Sequence, residues 1–330
     1  MHKYMSYRKV QKTSKGTYLI SLPKEWATEY SLDKQEALLI TQGSDGSLVI
    51  RPPQARNKEI KVTLHMAPYI SRHITWSYLM GADLVEIIGD TPITKEEKSE
   101  IKEAISRLAG FEIIDEKEDK ITIGTLMEAG PGFIDKYLRK ELFVTTGMER
   151  EAVEAFLKGD AESAQDVKER DDEVDRLYFL LVRLTRGAIG NTYISEKLEI
   201  SPLSALDIRE ASEVLENLAD YAVKVASLVA SQRALAPKDE VSVRSFLSEI
   251  MDIQGRAIEA LLSNAFQDVP SLLERRSKLV DLLRFETTGK GCDLMKVLNF
   301  QAAMEQVLER TYDLVDLIVP KTIDATTTNT

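Results

Sequence analysis

Val214-Leu215-Glu216-Asn217-Leu218-Ala219-Asp220 and Val307-Leu308-Glu309-Arg310-Thr311-Tyr312-Asp313 decide how this chain is read. Each places a Val-Leu pair ahead of two acids spaced i, i+4 inside a long helical pattern. An upstream segment offers the same spacing as Asp171-x-x-x-Asp175. Acids four residues apart share a helix face, and their repulsion weakens an isolated helix by a few tenths of a kcal/mol per pair. Repeating that arrangement predicts a duplicated helical bundle with a cation, most simply a metal ion, between its helices.

Outward from these segments, helical periodicity predicts six helices, near 133–158, 161–187, 200–232, 238–266, 268–287 and 291–319, and no strand after Pro131. Gly159-Asp160, the stretch from Gly187 to Asn191, and Gly289-Lys290-Gly291 supply stop signals. Ser201-Pro202 suits a helix start, and Ala236-Pro237 interrupts the pattern. The tail at 321–330 is expected to be disordered.

Two smaller modules precede the bundle. Residues 57–127 alternate strand and helix in the order βαβαββ, with strands at Glu59–Leu64, Leu84–Ile88, Phe111–Ile114 and Lys120–Ile123. Helices are expected at Tyr69–Leu79 and from Thr94 toward Gly110, the second opened by the capping box Thr94-x-x-Glu97. This order implies a small α+β layer with helices on one face. Trp76 and Tyr78 are expected in its core, and His65 and His73 in structural roles.

Residues 6–52 read as short strands around one helical turn. Thr17–Leu22 is β-rich, Pro23 opens Lys24–Tyr30, and Ala37–Ile40 and Leu48–Ile50 flank Ser44-Asp45-Gly46, a hairpin signal. Pro52-Pro53 closes the unit. Fewer than about 50 residues with one small helix bury little core, so this head is expected to need a second copy of itself.

Charge divides along the same boundary. Residues 1–52 carry eight Lys/Arg against five Asp/Glu, and the whole chain is −11, leaving −14 on the rest. Five basic residues and no acid occur from Lys3 to Lys15. A basic head on an acidic body suits an anionic partner at the head and cations at the body. The single cysteine, Cys292, allows no internal disulfide. With no spanning apolar run and no signal-peptide pattern, the expectation is a cytoplasmic protein without membrane insertion.

On an ideal helix at about 100° per residue, Asp171 and Asp175 fall within the stripe of Val174, Tyr178, Leu181 and Val182. Glu216, Asp220, Glu309 and Asp313 fall at stripe edges. Carboxylates on a core-facing stripe need protonation, a cationic partner or a metal. All-oxygen ligands suit Mg²⁺, Ca²⁺, Mn²⁺ or iron. A ferritin-type di-iron enzyme would need Glu-x-x-His in the bundle, but His2, His65 and His73 all precede it. No phosphate-loop or dinucleotide fingerprint occurs. No nucleophile or general base stands at recognisable spacing from the acids, so a metal-dependent hydrolase is disfavoured and the expectation is a non-enzyme.

The helical half resembles the PhoU family of phosphate-uptake regulators, built from two three-helix repeats whose acidic motifs can hold metal clusters. Glu309-Arg310-x-x-Asp313 meets the family's Glu-Arg-x-x-Asp in full, Glu216-Asn217-x-x-Asp220 replaces Arg by Asn217, and Asp171-x-x-x-Asp175 fits the second helix of the first repeat. In the second repeat Asp281 matches Asp175, but Ser277 stands where Asp171 stood. The resemblance implies metal ligands Asp171, Asp175, Glu216, Asp220, Asp281, Glu309 and Asp313. It implies divalent or trivalent metal ions as cofactors, with iron, Mn, Mg and Zn undetermined.

The head resembles the AbrB/SpoVT swapped-hairpin domain, a dimeric DNA-binding fold. The residues that carry this are Arg8-Lys9-Val10, Gly16, Leu19-x-x-Leu22-Pro23-Lys24-Glu25-Trp26, Leu32 and Asp45-Gly46-Ser47-Leu48-Val49-Ile50. Where that family places Gly-Asp after the helix, this chain has Lys34-Gln35-Glu36. DNA contacts are implied at Arg8, Lys9, Lys12, Lys15 and Lys24.

The chain is thus expected to be multidomain. It has a β-rich head at 1–53, an α+β module at 55–128, an all-α body of two three-helix repeats at 131–320, and a tail. The expected function is a homodimeric regulator of phosphate homeostasis that binds DNA through the head and metal through the body. The alternative is a protein-interaction regulator of a phosphate transporter ATPase or a sensor kinase, whose head only dimerises.

Overall fold

The computed structural model describes residues 7–33, 37–42, 46–52, 59–229, 235–263, 265–284 and 294–319. Ser44-Asp45, Lys34-Gln35-Glu36, Pro53, Gly289-Lys290-Gly291, Cys292 and the tail at 321–330 lie outside the described residues. The chain divides into two compact units, Met1–Glu59 and Ile60–Thr330.

In the first unit β1 (Gln11–Lys12) and β2 (Tyr18–Leu19) pair antiparallel. Gly16 turns the chain between them at φ +86°, a conformation that favours glycine. Pro23 caps α1 (Lys24–Glu29), and β3 (Leu39–Gln42) pairs antiparallel with β4 (Leu48–Arg51). No residue of α1 is buried, and Tyr7, Val10, Tyr18, Leu19, Ile40 and Leu48 are exposed, Tyr7 at 92%. Among the described residues of this unit many apolar side chains are held outward, which leaves it little core.

The second unit begins with β5 (Lys61–His65), α2 (Ile70–Leu79), β6 (Leu84–Ile88), α3 (Lys95–Ser106), β7 (Phe111–Glu116) and β8 (Lys120–Thr125). The strands lie in the order β5-β6-β8-β7, with β5 and β6 parallel and the other pairs antiparallel. Alternation puts Val85, Ile87, Ile121 and Ile123 on one face, where they pack with Ile70, Ile74 and Tyr78 of α2 and Ile101 and Ile105 of α3. The opposite face carries Glu86, ion-paired to Lys61 and Lys120. Thr94 and Glu97 form the expected capping box. One expectation fails: Tyr78 is buried, but Trp76 is 56% exposed. Trp76 lies two residues before Tyr78, about 200° around the helix, and stacks near His73 instead of entering the core.

The body follows without strands among its described residues. α4 (Phe133–Lys158), α5 (Ala161–Gly190), a short α6 (Thr192–Leu198) and α7 (Pro202–Ala226) form the first half. α8 (Pro237–Ser263), α9 (Val269–Leu273), α10 (Arg276–Leu282) and α11 (Leu294–Asp316) form the second. Gly159 ends α4 at φ +71° and Asp160 caps α5, as the stop signal predicts. Gly187 does not stop α5. Its missing Cβ lets Ile194 of α6 approach, since a Cβ there would meet Ile194 Cγ2 at 3.3 Å.

The helix expected at 268–287 is divided into α9 and α10 through Glu274 and Arg275, both near helical dihedrals. The division is a slackening, with the Arg275 guanidinium ion-paired to Glu249 and Asp252 of α8. The core of the body runs through both halves, and Phe156 of α4 stacks on Phe300 of α11 at 4.1 Å.

The α+β layer docks on α5. Arg176, Phe179, Arg183 and Arg186 recur at spacings of 3, 4 and 3, one helical stripe. Phe179 enters the layer's core. The Arg183 guanidinium donates to the Tyr78 and Ala82 carbonyl oxygens at 2.6 and 2.9 Å.

Candidate carboxylate site

α5 and α7 pack directly against each other, and each brings two of the acids expected from the motifs. Asp171 and Asp175 sit one turn apart on α5, Glu216 and Asp220 one turn apart on α7. Asp171, Asp175 and Glu216 are half-buried, and Asp220 is exposed. Burial, joined by the charges of Asp175 and Asp220, pushes the Asp171 carboxyl up to about 6. Burial, joined by Asp220, Asp175 and Asp171, pushes Glu216 up to about 7. Burial and Asp172 raise Asp175, opposed by Arg107 at the end of α3. The four acids therefore act on one another across the α5–α7 seam.

No ion pair to any of these four occurs among the described residues. Nor, among those residues, do three His, Cys, Asp or Glu groups stand close enough to hold a metal ion in this arrangement. The seam is a set of hard oxygen donors from two helices whose charges act on one another.

The second half is different. Asp281 pairs with Arg284 at 3.4 Å, Glu309 pairs with Arg276, and Asp313 pairs with Arg310 at 2.8 Å. Such exposed pairs add little stability, but they supply each carboxylate with a cation from the chain itself. Arg310, which completes the Glu-Arg-x-x-Asp pattern, is engaged with its own motif's aspartate. Each of these three acids is thus ion-paired, as the four of the first half are not among the described residues.

Two carboxyls that motif reading missed lie deeper. Glu141 and Glu149 of α4 are 0% and 3% exposed. The Ser212 hydroxyl donates to Glu141 Oε1 at 3.0 Å, and the Gln254 amide donates to Glu149 Oε1 at 3.0 Å and to Thr311 Oγ1 at 3.1 Å. Glu141 Oε2, Glu149 Oε2 and Gln254 Oε1 are buried without a protein partner. Burial raises both carboxyls, Glu149 to about 8 and Glu141 well above the ordinary range, where the charge of Glu216 adds to it. Their positions on the stripe of Leu138, Thr145, Met148 and Ala152 could have revealed them, by the same rotation that placed Asp171 and Asp175.

On the head, Arg8, Lys9, Lys12, Lys15 and Lys24 are all exposed. Lys12 ends β1 with its ammonium 5.4 Å from the Tyr18 ring centroid, Lys15 lies in the turn to β2, and Lys24 opens α1. Arg8 Nη1 makes a long 3.4 Å bond to the Tyr7 carbonyl oxygen.

The class defined here is a helical bundle with a carboxylate seam between its second and third long helices. Residues 138–229 match the family model for the PhoU domain, from within α4 to just past α7. A solved structure, the crystal structure of PhoU from Pseudomonas aeruginosa, is 17% identical to this chain. The match covers 56% of this chain and 93% of that one, with a TM-score of 0.43. No curated protein matches the chain. No helix among the described residues is long and apolar enough to cross a membrane.

Proposed function

We propose that this chain is a PhoU-type regulator of phosphate homeostasis, with a metal-binding body and a dimeric DNA-binding head. The observation that carries the body's part is the PhoU domain at 138–229, which contains the seam of Asp171, Asp175, Glu216 and Asp220. Four carboxylates, three of them raised by burial and by their acidic neighbours and none ion-paired among the described residues, fit a hard metal ion by donor chemistry. A bound ion would draw them together and change how α5 packs on α7. When bound, the metal supplies positive charge and a coordination demand. The residues that would hold it are those four, whereas Asp281, Glu309 and Asp313 already have arginines.

The head's part rests on five exposed cations on a unit with outward apolar side chains, which a second copy would cover while presenting each cation twice. Arg8 suits a bidentate base contact and the lysines suit phosphates.

Fluorescence anisotropy of the full-length protein on pooled genomic DNA fragments tests this reading. We expect binding that weakens steeply with salt. Lys12→Ala should make the log K against log salt slope shallower by about 2, one lost phosphate contact per protomer of a dimer. No retention of DNA at low salt, in a protein that is dimeric by light scattering, would leave the head as a dimerisation device and favour a protein-partner regulator.

For the body, the Asp171→Asn/Asp175→Asn double variant is expected to carry less metal by mass spectrometry of the purified protein. Unchanged stoichiometry would remove these residues from the site.

A further inference from the structure

We infer that the α+β layer carries a contact for a second copy of this chain, made by the free edge of β5 and the outer stripe of α2. This contact is separate from the one ascribed to the head and does not depend on it. The sheet has two edges, and they are built differently. At β7 a bulge falls between Ile113 and Asp115, and Glu112, Asp115 and Glu116 would meet the acids of a copy. Bulges and repelling charges keep edge strands from pairing with other chains. β5 has neither. It runs in unbroken register beside β6, its one strand partner among the described residues, and no acid occurs from Ile60 to Ala82. Lys61 brings its own counter-charge, Glu86 at 3.1 Å.

The outer side of α2 continues this edge. Tyr69, His73, Trp76 and Met80 recur at spacings of 4, 3 and 4, one helical stripe. Tyr69 is 74% and Met80 66% exposed, with the outward Trp76 between them. Ser71, about half a turn round the helix from this stripe, places its amide 3.4 Å from Glu100 of α3. α3 in turn pairs with β7 through Lys98 and Glu116, so the stripe faces away from α3, toward the β5 side. Ile60, exposed just before β5, reaches the end of α2, where a Cβ on Gly81 would meet its Cδ1 at 4.0 Å. Ile60, Tyr69, Trp76 and Met80 together offer roughly 500 Å² of apolar surface, against about 800 Å² per partner in an ordinary interface.

The patch is self-complementary. A two-fold axis through Thr63, normal to the sheet, pairs the two β5 strands antiparallel. Val62 then stands opposite the copy's Leu64, and Ile60 opposite its Met66, so apolar side chains meet on the core face. Paired strands lie about 4.8 Å apart, and α2 crosses over the β5–β6 pair that it joins. The two α2 helices would therefore lie about 10 Å apart, an ordinary packing distance for helices. A lone strand from an unrelated protein would satisfy the edge but leave the stripe uncovered.

Cross-linking of the full-length protein tests this contact whatever the head does. In a Cys292→Ser background, Thr63→Cys puts two thiols on the axis within disulfide reach. Asp115→Cys, equally exposed on the β7 edge, reports random collision. With copper phenanthroline at micromolar protein, we expect Thr63→Cys to reach double mass on non-reducing gels at least tenfold faster than Asp115→Cys. Adding Trp76→Glu should slow that reaction at least tenfold, with folding checked by circular dichroism. Equal rates for Thr63→Cys and Asp115→Cys, or no cross-link at Thr63→Cys, would overturn the inference. An unslowed reaction with Trp76→Glu would overturn it too, since the strand would then pair without the stripe. Should Trp76→Glu fail to fold, Trp76→Ala serves instead and is expected to slow the reaction severalfold; an unchanged rate there would equally sink the contact.

Discussion

Arg183→Ala is expected to lower the unfolding free energy by about 2–4 kcal/mol, the range for loss of a buried, hydrogen-bonded charged group. The guanidinium lies between α5 and the end of α2. It donates to two backbone carbonyls there and sits 4.8 Å from the Tyr78 ring centroid and 5.5 Å from that of Phe111. Tyr78 would keep the Gly81 amide on its carbonyl oxygen, but the Ala82 carbonyl would lose its donor from Arg183. The truncation also opens a cavity beneath Tyr78 and Phe111. Lysine would restore the charge without the fork that spans both carbonyls, so Arg183→Lys should recover only part of the loss. Arg186→Ala, one turn on and exposed, should cost less than about 0.5 kcal/mol. Urea unfolding of the three variants decides the matter. Equal stability of Arg183→Ala and the parent would mean that the α+β layer is held on α5 by Phe179 and shape alone.

The second large effect is a pH dependence centred on Glu149. Its carboxyl is raised to about 8 by burial, with the Gln254 amide opposing, and no charged group adds to the shift. The native state therefore holds a proton at pH values where the unfolded chain, near the ordinary 4.5, has released it. Native protein binds more protons than unfolded protein between those values, so stability falls as pH rises from about 4.5 to about 8 and levels off above. One such proton contributes a slope of about 1.4 kcal/mol per pH unit, or about 3 kcal/mol lost by pH 7 relative to the acid limit.

Glu149→Gln removes that proton. Its amide can also donate toward Gln254 Oε1, the orphan acceptor opposite, while its carbonyl oxygen still accepts from Gln254 Nε2. The variant should therefore be more stable than the parent at pH 7–8 and near equal at pH 5, by urea unfolding across that range. Identical slopes in parent and variant would mean that Glu149 does not hold the proton.

Much of the architecture was legible because it rests on local chemistry. The capping box at Thr94, the Gly159-Asp160 boundary and the start at Ser201-Pro202 each satisfy helix ends with their own side chains, so a short window contains the whole cause. The strands of the α+β layer follow from period-two alternation against one buried face. The stop stretch from Gly187 to Asn191 does end α5, at Gly190, three residues past Gly187, whose glycine serves the approach of Ile194 from another helix, a reason that no local window holds. Trp76 misled because a large aromatic on an amphipathic helix was assigned by type, whereas rotation about the helix axis puts it outside.

The acids divide in the same way. Sequence by itself determined that Asp171 and Asp175 share one helix face and that Glu216 and Asp220 share another, because spacing on a helix is enough to establish that. Only the tertiary structure decided that these two faces meet across the α5–α7 seam, while Glu309 meets Arg276; Asp281 and Asp313 pair with arginines three residues away in sequence. Arg276 lies 33 residues from Glu309, a contact that motif spacing does not encode. Glu141 and Ser212 lie 71 residues apart, and Arg183 and Tyr78 lie 105 apart. Local periodicity says which way a side chain faces. What it faces is settled by the packing of elements distant in the chain, and the charge state of a carboxylate depends on that neighbour.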